Sequence, residues 1–528
     1  MILPLVKQQT LSGHRCIIPE QITYSYDSTA EARLGAQAFA DFLPAAKATE
    51  DGFVRFAADL SLEDRPEIYR VTVAEHGLSV CFRDERGAVN GAATAALLLA
   101  GNSTETGEIL DYPAYTYRSV MLDMARGLPA EADIVHAIHY MALAKINRLH
   151  LHLTDDKGPC YRSEAVPAYA FLGRGGQCSM DDLRRLVALC DRYAIEIVPE
   201  IEIPAHANAL CQAYPAFKCE VEHADNWALC PGSEEVWDFY EALIGEIAAL
   251  FPHSEYIHIG TDELEFLDLH PPRICHWEEC PRCAALRARE GLADKREEFY
   301  YVVERMHDIV RAHGKKMMMW NDQIDISRPT PVSRDILIQF WRIAGRGRGP
   351  FEGCTLEKFL EQGFRVVNAY YPYTYFDLES YMSAEKMKTW TPHAVPEQSE
   401  AYADQVIGGE ACAWEFGNVD EYPFYPQVTP PVIAVFADKL WSPGVREHNE
   451  AYRAALSVLL FGTEELTEVF DLIGGIIPPR RANQLTYTDP ATLPRERLQA
   501  CIDRLETISH RPAASVYAKL LRRVMTQR

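Results

Sequence analysis

The sequence predicts an α/β protein: a (β/α)8 TIM barrel catalytic domain, preceded by a small α+β domain and followed by a helical C-terminal extension. Three observations predict it. Short apolar segments alternate with longer amphipathic ones across the middle of the chain, and carboxylates and tryptophans recur where the apolar segments end. Strand signals also gather before this region and stop after it. The boundaries expected from these changes of pattern are 1–112, 113–446 and 447–528.

In the first unit, extended stretches lie at 68–73 and 78–82 and helical ones at 30–42 and 87–99. Its polar residues form no convergent catalytic set, which predicts a scaffold. From about Tyr117, eight strand candidates follow: 119–123, 148–153, 195–200, 256–260, 316–320, 336–340, 365–369 and 406–411. Helical runs are clearest at 132–144, 180–193, 234–250 and 295–313. A doubly wound open sheet is the alternative architecture, but no Gly-x-Gly-x-x-Gly strand–turn–helix supports it. The last unit is mostly helical and is expected to pack outside the barrel.

Bulk composition narrows the function. With 528 residues, 48% of them hydrophobic, the chain can build more than one core. A formal charge of -24 repels phosphate backbones and anionic lipid, so neither nucleic acid nor a membrane surface is expected as a partner. No stretch approaches the roughly 18 apolar residues of a membrane span, and no export signal is read at the start of the chain, so the expected location is cytoplasmic and the 14 cysteines are expected as thiols. The run from Cys275 to Cys283 has the spacing Cys-x4-Cys-x2-Cys, with His270 or His276 available as a fourth zinc ligand, but it lacks a second clear ligand pair. No metal site is assigned there.

In a (β/α)8 barrel the chemistry sits at the C-terminal ends of the strands. Those ends here carry Asp123 and Arg126; His150, His152, Asp155 and Asp156; Glu200, Glu202 and His206; then Asp262 and Glu263. The later strands bring Trp320, Asn321, Asp322, Trp341, Tyr373, Tyr375, Asp377, Glu410, Trp414 and Glu415. Acids at nearly every strand end, interleaved with indoles, describe a sugar pocket: Trp stacks on the C–H face of a pyranose, and carboxylates with Arg bind its hydroxyls. Adjacent Asp262 and Glu263 repel each other, so one is expected to stay protonated near neutral pH.

Several ordered segments then resemble one family. Residues 117–126 (YRSVMLDMAR), 151–156 (LHLTDD), 199–206 (PEIEIPAH) and 259–263 (IGTDE) resemble successive barrel strands of family-20 glycoside hydrolases, the β-N-acetylhexosaminidases. Tyr375-Phe376-Asp377, residues 408–414 (GGEACAW) and Leu440-Trp441-Ser442 are similar to later segments. The chain departs from the family pattern at Thr261, where Gly is usual; at Glu202 and Ala205, within the usual Asp-x-Pro-Gly-His; and at Phe416, where Glu is common.

The resemblance implies an exo-acting retaining enzyme that removes terminal β-linked N-acetylhexosamine by substrate-assisted catalysis, an exception to the scheme with a carboxylate nucleophile. It implies that Glu263 is the general acid, that Asp262 holds the acetamido N–H, and that Tyr375 aims the acetamido oxygen. His206 and Asp155 are implied as a relay to Glu263. Arg126 and His152 are implied in sugar binding with Asp377 and Glu415, and Trp320, Trp341 and Trp414 as the walls. The expected partner is a carbohydrate, and the reaction needs no cofactor. Two rivals are a metal hydrolase built on His150, His152, Asp155, His206 and Asp262, and a carbohydrate-binding protein without catalysis.

Overall fold

The structure, a computed structural model, describes all residues except 101–103, 171–175, 223, 225, 226, 266–272, 344–352, 377–381, 383, 398, 416–424, 475–493, 509–511 and 527–528. Asp377, His270 and Phe416 therefore lie outside the described residues.

All eight expected barrel strands form: Tyr117–Asp123, Arg148–His152, Glu196–Glu200, Tyr256–His258, Lys316–Trp320, Leu337–Phe340, Val366–Asn368 and Val406–Ala413. Every neighbouring pair is parallel, and the eighth strand pairs with both the seventh and the first, which closes the barrel. A closed parallel sheet buries both faces of each strand, which is why these segments read as nearly continuous apolar runs. The first strand is buried at all seven positions.

The helices between the strands carry their own start and stop signals. Ser179 and Asp182 form a reciprocal capping box ahead of Met180–Asp191, and Asp294 accepts from two backbone N–H groups at the start of Lys295–Ala312. Helices Glu131–Leu143 and Glu234–Leu250 occupy the other clearly periodic stretches.

The N-terminal unit is a seven-stranded mixed sheet against helices Ala30–Phe42 and Glu85–Ala100. Two of its strands, Tyr69–Ala74 and Gly77–Phe82, were expected, with alternating burial. Strand Gln8–Arg15, by contrast, is exposed throughout and pairs only along one edge, so it has no hydrophobic alternation to reveal it. After the barrel come helices Glu450–Phe461, Glu468–Gly474, Arg495–Thr507 and Pro512–Thr526. Among the described residues, no helix is long and apolar enough to cross a membrane.

Candidate active site

The fourth barrel strand ends at His258, and positive φ angles follow at Gly260 (64°), Thr261 (80°) and, after Asp262, Glu263 (52°). Gly260 is required, because a Cβ there would lie 1.9 Å from Glu202 Oε2. The left-handed turn swings both acids over the mouth of the barrel. Seven described non-glycine residues have positive φ, and four of them (His206, Thr261, Glu263 and Glu415) are at this mouth. Such backbone costs of order 1–3 kcal/mol each and persists where the surroundings over-determine it.

Here the surroundings do so. The Glu263 N–H donates to Asp322 Oδ2 (3.1 Å), and its carbonyl accepts from Trp227 Nε1 (2.9 Å). Asp322 is itself held by Trp341 Nε1 (3.0 Å) and Arg342 Nη2 (2.9 Å). Sequence reading gave Trp227 and Arg342 no role. Arg342 directly follows Trp341 at the end of the sixth strand, whereas Trp227 lies in a loop 36 residues before its partner.

Eight side chains line one cavity of about 220 Å3: Arg126, His206, Asp262, Glu263, Trp341, Tyr375, Trp414 and Glu415. All eight are strand-end residues singled out by the sequence, gathered from six strands. Tyr375 stacks on Trp341, with ring planes 9° apart and centroids at 6.1 Å, and lies 5.9 Å from Trp414. The guanidinium of Arg126 sits 5.0 Å from the Trp414 ring and bonds Asp123 (3.1 Å) and Asp155 (2.7 Å). The Glu415 N–H donates to Asp123 Oδ2 (3.0 Å). Aromatic rings and ionisable groups thus line the cavity together, with Arg126 set against the Trp414 ring.

The ionisable groups are wired through His206. Its Nδ1 lies 3.4 Å from Asp155 and 3.7 Å from Asp156, and its Nε2 lies 3.6 Å from Asp262 and 3.8 Å from Glu263. Burial opposes a charged imidazole, but Asp155 and Asp262 outweigh it and hold the His206 pKa well above the usual value. Burial likewise drives the Glu263 carboxyl up to about 7, with the charge of Asp262 adding to the rise and His206 opposing it. Asp155 is held low: burial works against it, while Arg126 and His206 more than compensate. Burial thus favours the protonated form of Glu263, beside an imidazole whose cationic form Asp155 and Asp262 favour.

His152 and Trp320, expected in sugar binding, are not among the residues that line this cavity. Each is 1% exposed. His152 engages Glu200 through Nδ1 and Asp155 through Nε2 (3.1 Å), and Trp320 Nε1 donates to Glu200 Oε1 (2.7 Å). Both are last residues of strands whose side chains point into the barrel, so they form a packed layer under the mouth. Trp320 lies 6.0 Å from the Trp414 ring and supports it from behind.

Below that layer, His150 Nδ1 meets Glu410 (2.9 Å) and His258 Nδ1 meets Glu200 (2.9 Å). The donors of the metal-hydrolase rival fall into separate clusters: His150 with Glu200 and His258, His152 with Glu200 and Glu202, and His206 with Asp155 and Asp156 or with Asp262 and Glu263. Among the described residues, no group with ligand atoms within 4.8 Å of one another joins His150, His152 and Asp262.

Comparison with known proteins agrees with the geometry. Residues 115–444, well over half of the chain, match Glycosyl hydrolase family 20, catalytic domain. The sequence is 29% identical over 417 residues to a Beta-hexosaminidase of Akkermansia muciniphila, covering 72% of this chain and 80% of that protein. It is 26% identical over 401 residues to Beta-hexosaminidase subunit alpha of Mus musculus, covering 71% and 70%. The fold is similar to that of the beta-N-acetylhexosaminidase from Bacteroides fragilis, with a TM-score of 0.71 at 21% identity, over 87% of this chain and 95% of that one. It is also similar to the exo beta-N-acetylglucosaminidase from Vibrio harveyi, with a TM-score of 0.70 at 23% identity, over 83% and 73%. The chain belongs to glycosyl hydrolase family 20 and is a glycoside hydrolase.

Proposed function

We propose that this hydrolase is an exo-acting, retaining β-N-acetylhexosaminidase that releases terminal β-linked GlcNAc or GalNAc by way of an oxazolinium ion. The observation that carries the reading is the Asp262–Glu263 pair, with Glu263 pushed up to about 7, lining a cavity of about 220 Å3 together with Tyr375. In the first step the acetamido carbonyl oxygen attacks C1 as the C1–O glycosidic bond breaks, and protonated Glu263 gives its proton to the departing oxygen. Asp262 accepts a hydrogen bond from the acetamido N–H and balances the charge of the closing ring. Tyr375 donates to the acetamido oxygen and fixes its line of attack. In the second step Glu263, now a base, takes a proton from water, whose oxygen bonds to C1 as the oxazolinium opens. Two inversions give net retention. Because the nucleophile is tethered to the sugar, its placement is worth roughly 7–11 kcal/mol of barrier, and the protein need supply only a proton and a counter-charge.

Arg126, Glu415 and Asp377 bind the outer hydroxyls, and Trp341 and Trp414 enclose the ring. His206, positioned by Asp155, tunes Glu263. A cytoplasmic location belongs to the same reading and is supported by the acidic charge and by cysteines that are all free thiols; fractionation of the host cell tests it. The activity is tested with aryl β-GlcNAc, β-GalNAc and β-glucoside substrates and a thiazoline that mimics the oxazolinium. Hydrolysis confined to the acetamido sugars and tight thiazoline binding are expected. Equal turnover of the plain glucoside, or a glycosyl ester trapped on a side chain, overturns the mechanism.

A further inference from the structure

Four cysteine thiols from two separate loops meet at one point beside the barrel. Cys219, Cys230, Cys280 and Cys283 are all buried, and their sulfurs all lie within 4.8 Å of one another. Cys230 Sγ is 3.6 Å from Cys280 Sγ and 3.5 Å from Cys283 Sγ. A tetrahedron of sulfurs around zinc, with Zn–S near 2.3 Å, has edges of about 3.8 Å. A disulfide requires about 2.05 Å. The observed spacing is close to the metal geometry and far from the disulfide. We propose that these four thiolates hold a structural Zn2+ ion that ties the loop after the third barrel strand to the loop after the fourth.

The backbone around the cluster is shaped for this. Cys280 is the N-cap of helix Pro281–Glu290 and Cys283 lies in its first turn, so both sulfurs sit at the positive end of the helix, where thiolates are favoured. Cys219 and Cys230 flank the antiparallel bridge between Lys218 and Leu229. Gly232 packs so tightly on the Cys-x2-Cys turn that a Cβ there would lie 2.5 Å from the Arg282 carbonyl oxygen. Arg282 then reaches back across the junction to the carbonyls of Ala216 (2.7 Å) and Lys218. Trp277 Nε1 adds a bond to the Leu229 carbonyl (2.8 Å). Each loop supplies one pair of ligands, the pairing that a four-thiolate site needs.

The ligand set differs from the one suggested by the cysteine run alone. Cys275 is buried but stands outside the cluster, and His276 lies beside Glu279 (3.3 Å). The missing pair lies 50 and more residues upstream, which is why spacing within the run could not reveal it. The position also explains what the metal is for. Cys230 is three residues from Trp227, whose N–H holds the Glu263 carbonyl and whose ring lies 4.5 Å from His206. The ion pins the loop that holds the two acids in place and takes no part in bond making.

Elemental analysis of the intact protein, purified without chelators or a histidine tag, should find about one zinc per chain. Cys219→Ser and Cys283→Ser should each lose most of it, whereas Cys275→Ser should keep it. If the variants fold poorly, the wild type decides alone. Zinc released by a mercurial should appear in a colorimetric assay as the four thiols are titrated. Cobalt added to the stripped protein should give the intense thiolate charge-transfer and visible bands of a tetrahedral sulfur site. The proposal is overturned by wild-type protein that contains no zinc and takes up neither zinc nor cobalt, by a disulfide between any two of the four, or by loss of metal in Cys275→Ser but not in Cys219→Ser. None of these readouts depends on glycosidase activity, so the metal site and the catalytic reading fail separately.

Discussion

Two buried networks of charge occupy opposite ends of the barrel, and they are built to opposite standards. At the N-terminal end of the strands, Arg118 pairs with Glu67 (3.1 Å through Nη1), which also accepts from Asn90 (3.0 Å) and Asn147 (2.8 Å). Beside it, Lys145 bonds Asp111 (3.0 Å) and Tyr69 (2.7 Å), and Trp441 donates to Asp111 (3.0 Å). Every side-chain donor and acceptor of Glu67, Arg118, Lys145, Asp111 and Asn147 that is fully buried has a partner. At the C-terminal end, both nitrogens of His206, both carboxylate oxygens of Glu202 and Oδ1 of Asp262 are buried without a hydrogen bond. Both networks even use residues with positive φ, Glu67 and Lys145 in one and His206 and Glu263 in the other. The saturated network joins the N-terminal sheet and the C-terminal end of helix Tyr425–Trp441 to the barrel floor. The second network borders the cavity, which His206 and Asp262 help to line.

The sharpest way to break this contrast is to remove one charge from each. Glu263→Gln should lower kcat/KM by about 10²–10⁴-fold on glycosides with poor leaving groups, and by less on activated aryl glycosides that need no proton. Its melting temperature should stay close to wild type, because the carboxyl makes no hydrogen bond that the amide loses. Arg118→Met should do the reverse: about 3–5 kcal/mol of stability lost by denaturant titration, because Glu67 is left charged and buried, with kcat per folded molecule unchanged. If Arg118→Met lowers kcat as much as Glu263→Gln does, the two networks are not separate devices.

Titration separates the networks next. Burial raises the folded pKa of Glu263 from 4.5 to about 7, so its protonated form is the one that both favours folding and donates the proton. Its contribution to stability is complete below 4.5 and is lost as the pH rises through about 7, and kcat/KM should fall on the same alkaline limb. Glu67 has the opposite sign. Burial raises its pKa, but Arg118 more than offsets this and leaves it lowered, so its stabilisation is present above the unfolded value and disappears as the pH falls. A pH–rate profile of Glu263→Gln that keeps the wild-type alkaline limb would assign that limb to another group.

The two ends also differed in how well the sequence announced them. The barrel strands were visible because each is an apolar run buried on both sides, and the cavity was visible because strand ends are where loops converge; all eight lining residues lie there. The partners that hold these residues were not. Glu67 is 51 residues from Arg118, and Trp441 is 330 from Asp111. Nothing local marks such pairs, because their spacing is set by how the N-terminal sheet docks and not by any periodicity. The same separation hid Trp227 behind Glu263 and the second pair of clustered thiols. His152 and Trp320 also sit at strand ends, but their side chains are buried against Glu200 and are not among the residues that line the cavity.

The smallest expected effects come from one chemical change made at both ends. Trp441→Phe and Trp227→Phe each delete an indole N–H while keeping most of an aromatic ring. At the barrel floor the lost donor leaves Asp111 still bonded to Lys145, so stability should fall by about 1 kcal/mol, with kcat/KM unaffected. At the mouth, the lost donor frees the Glu263 carbonyl in a turn held in left-handed backbone, and a bond of similar worth now acts on the placement of the proton donor. A loss of about 1 kcal/mol there corresponds to roughly a fivefold fall in kcat. Because Trp227 acts through Glu263, the fall should be larger for poor leaving groups than for activated ones, a pattern that a general loosening of the fold would not produce. A Trp227→Phe enzyme that loses the same factor on both substrate types would place the indole in the packing alone.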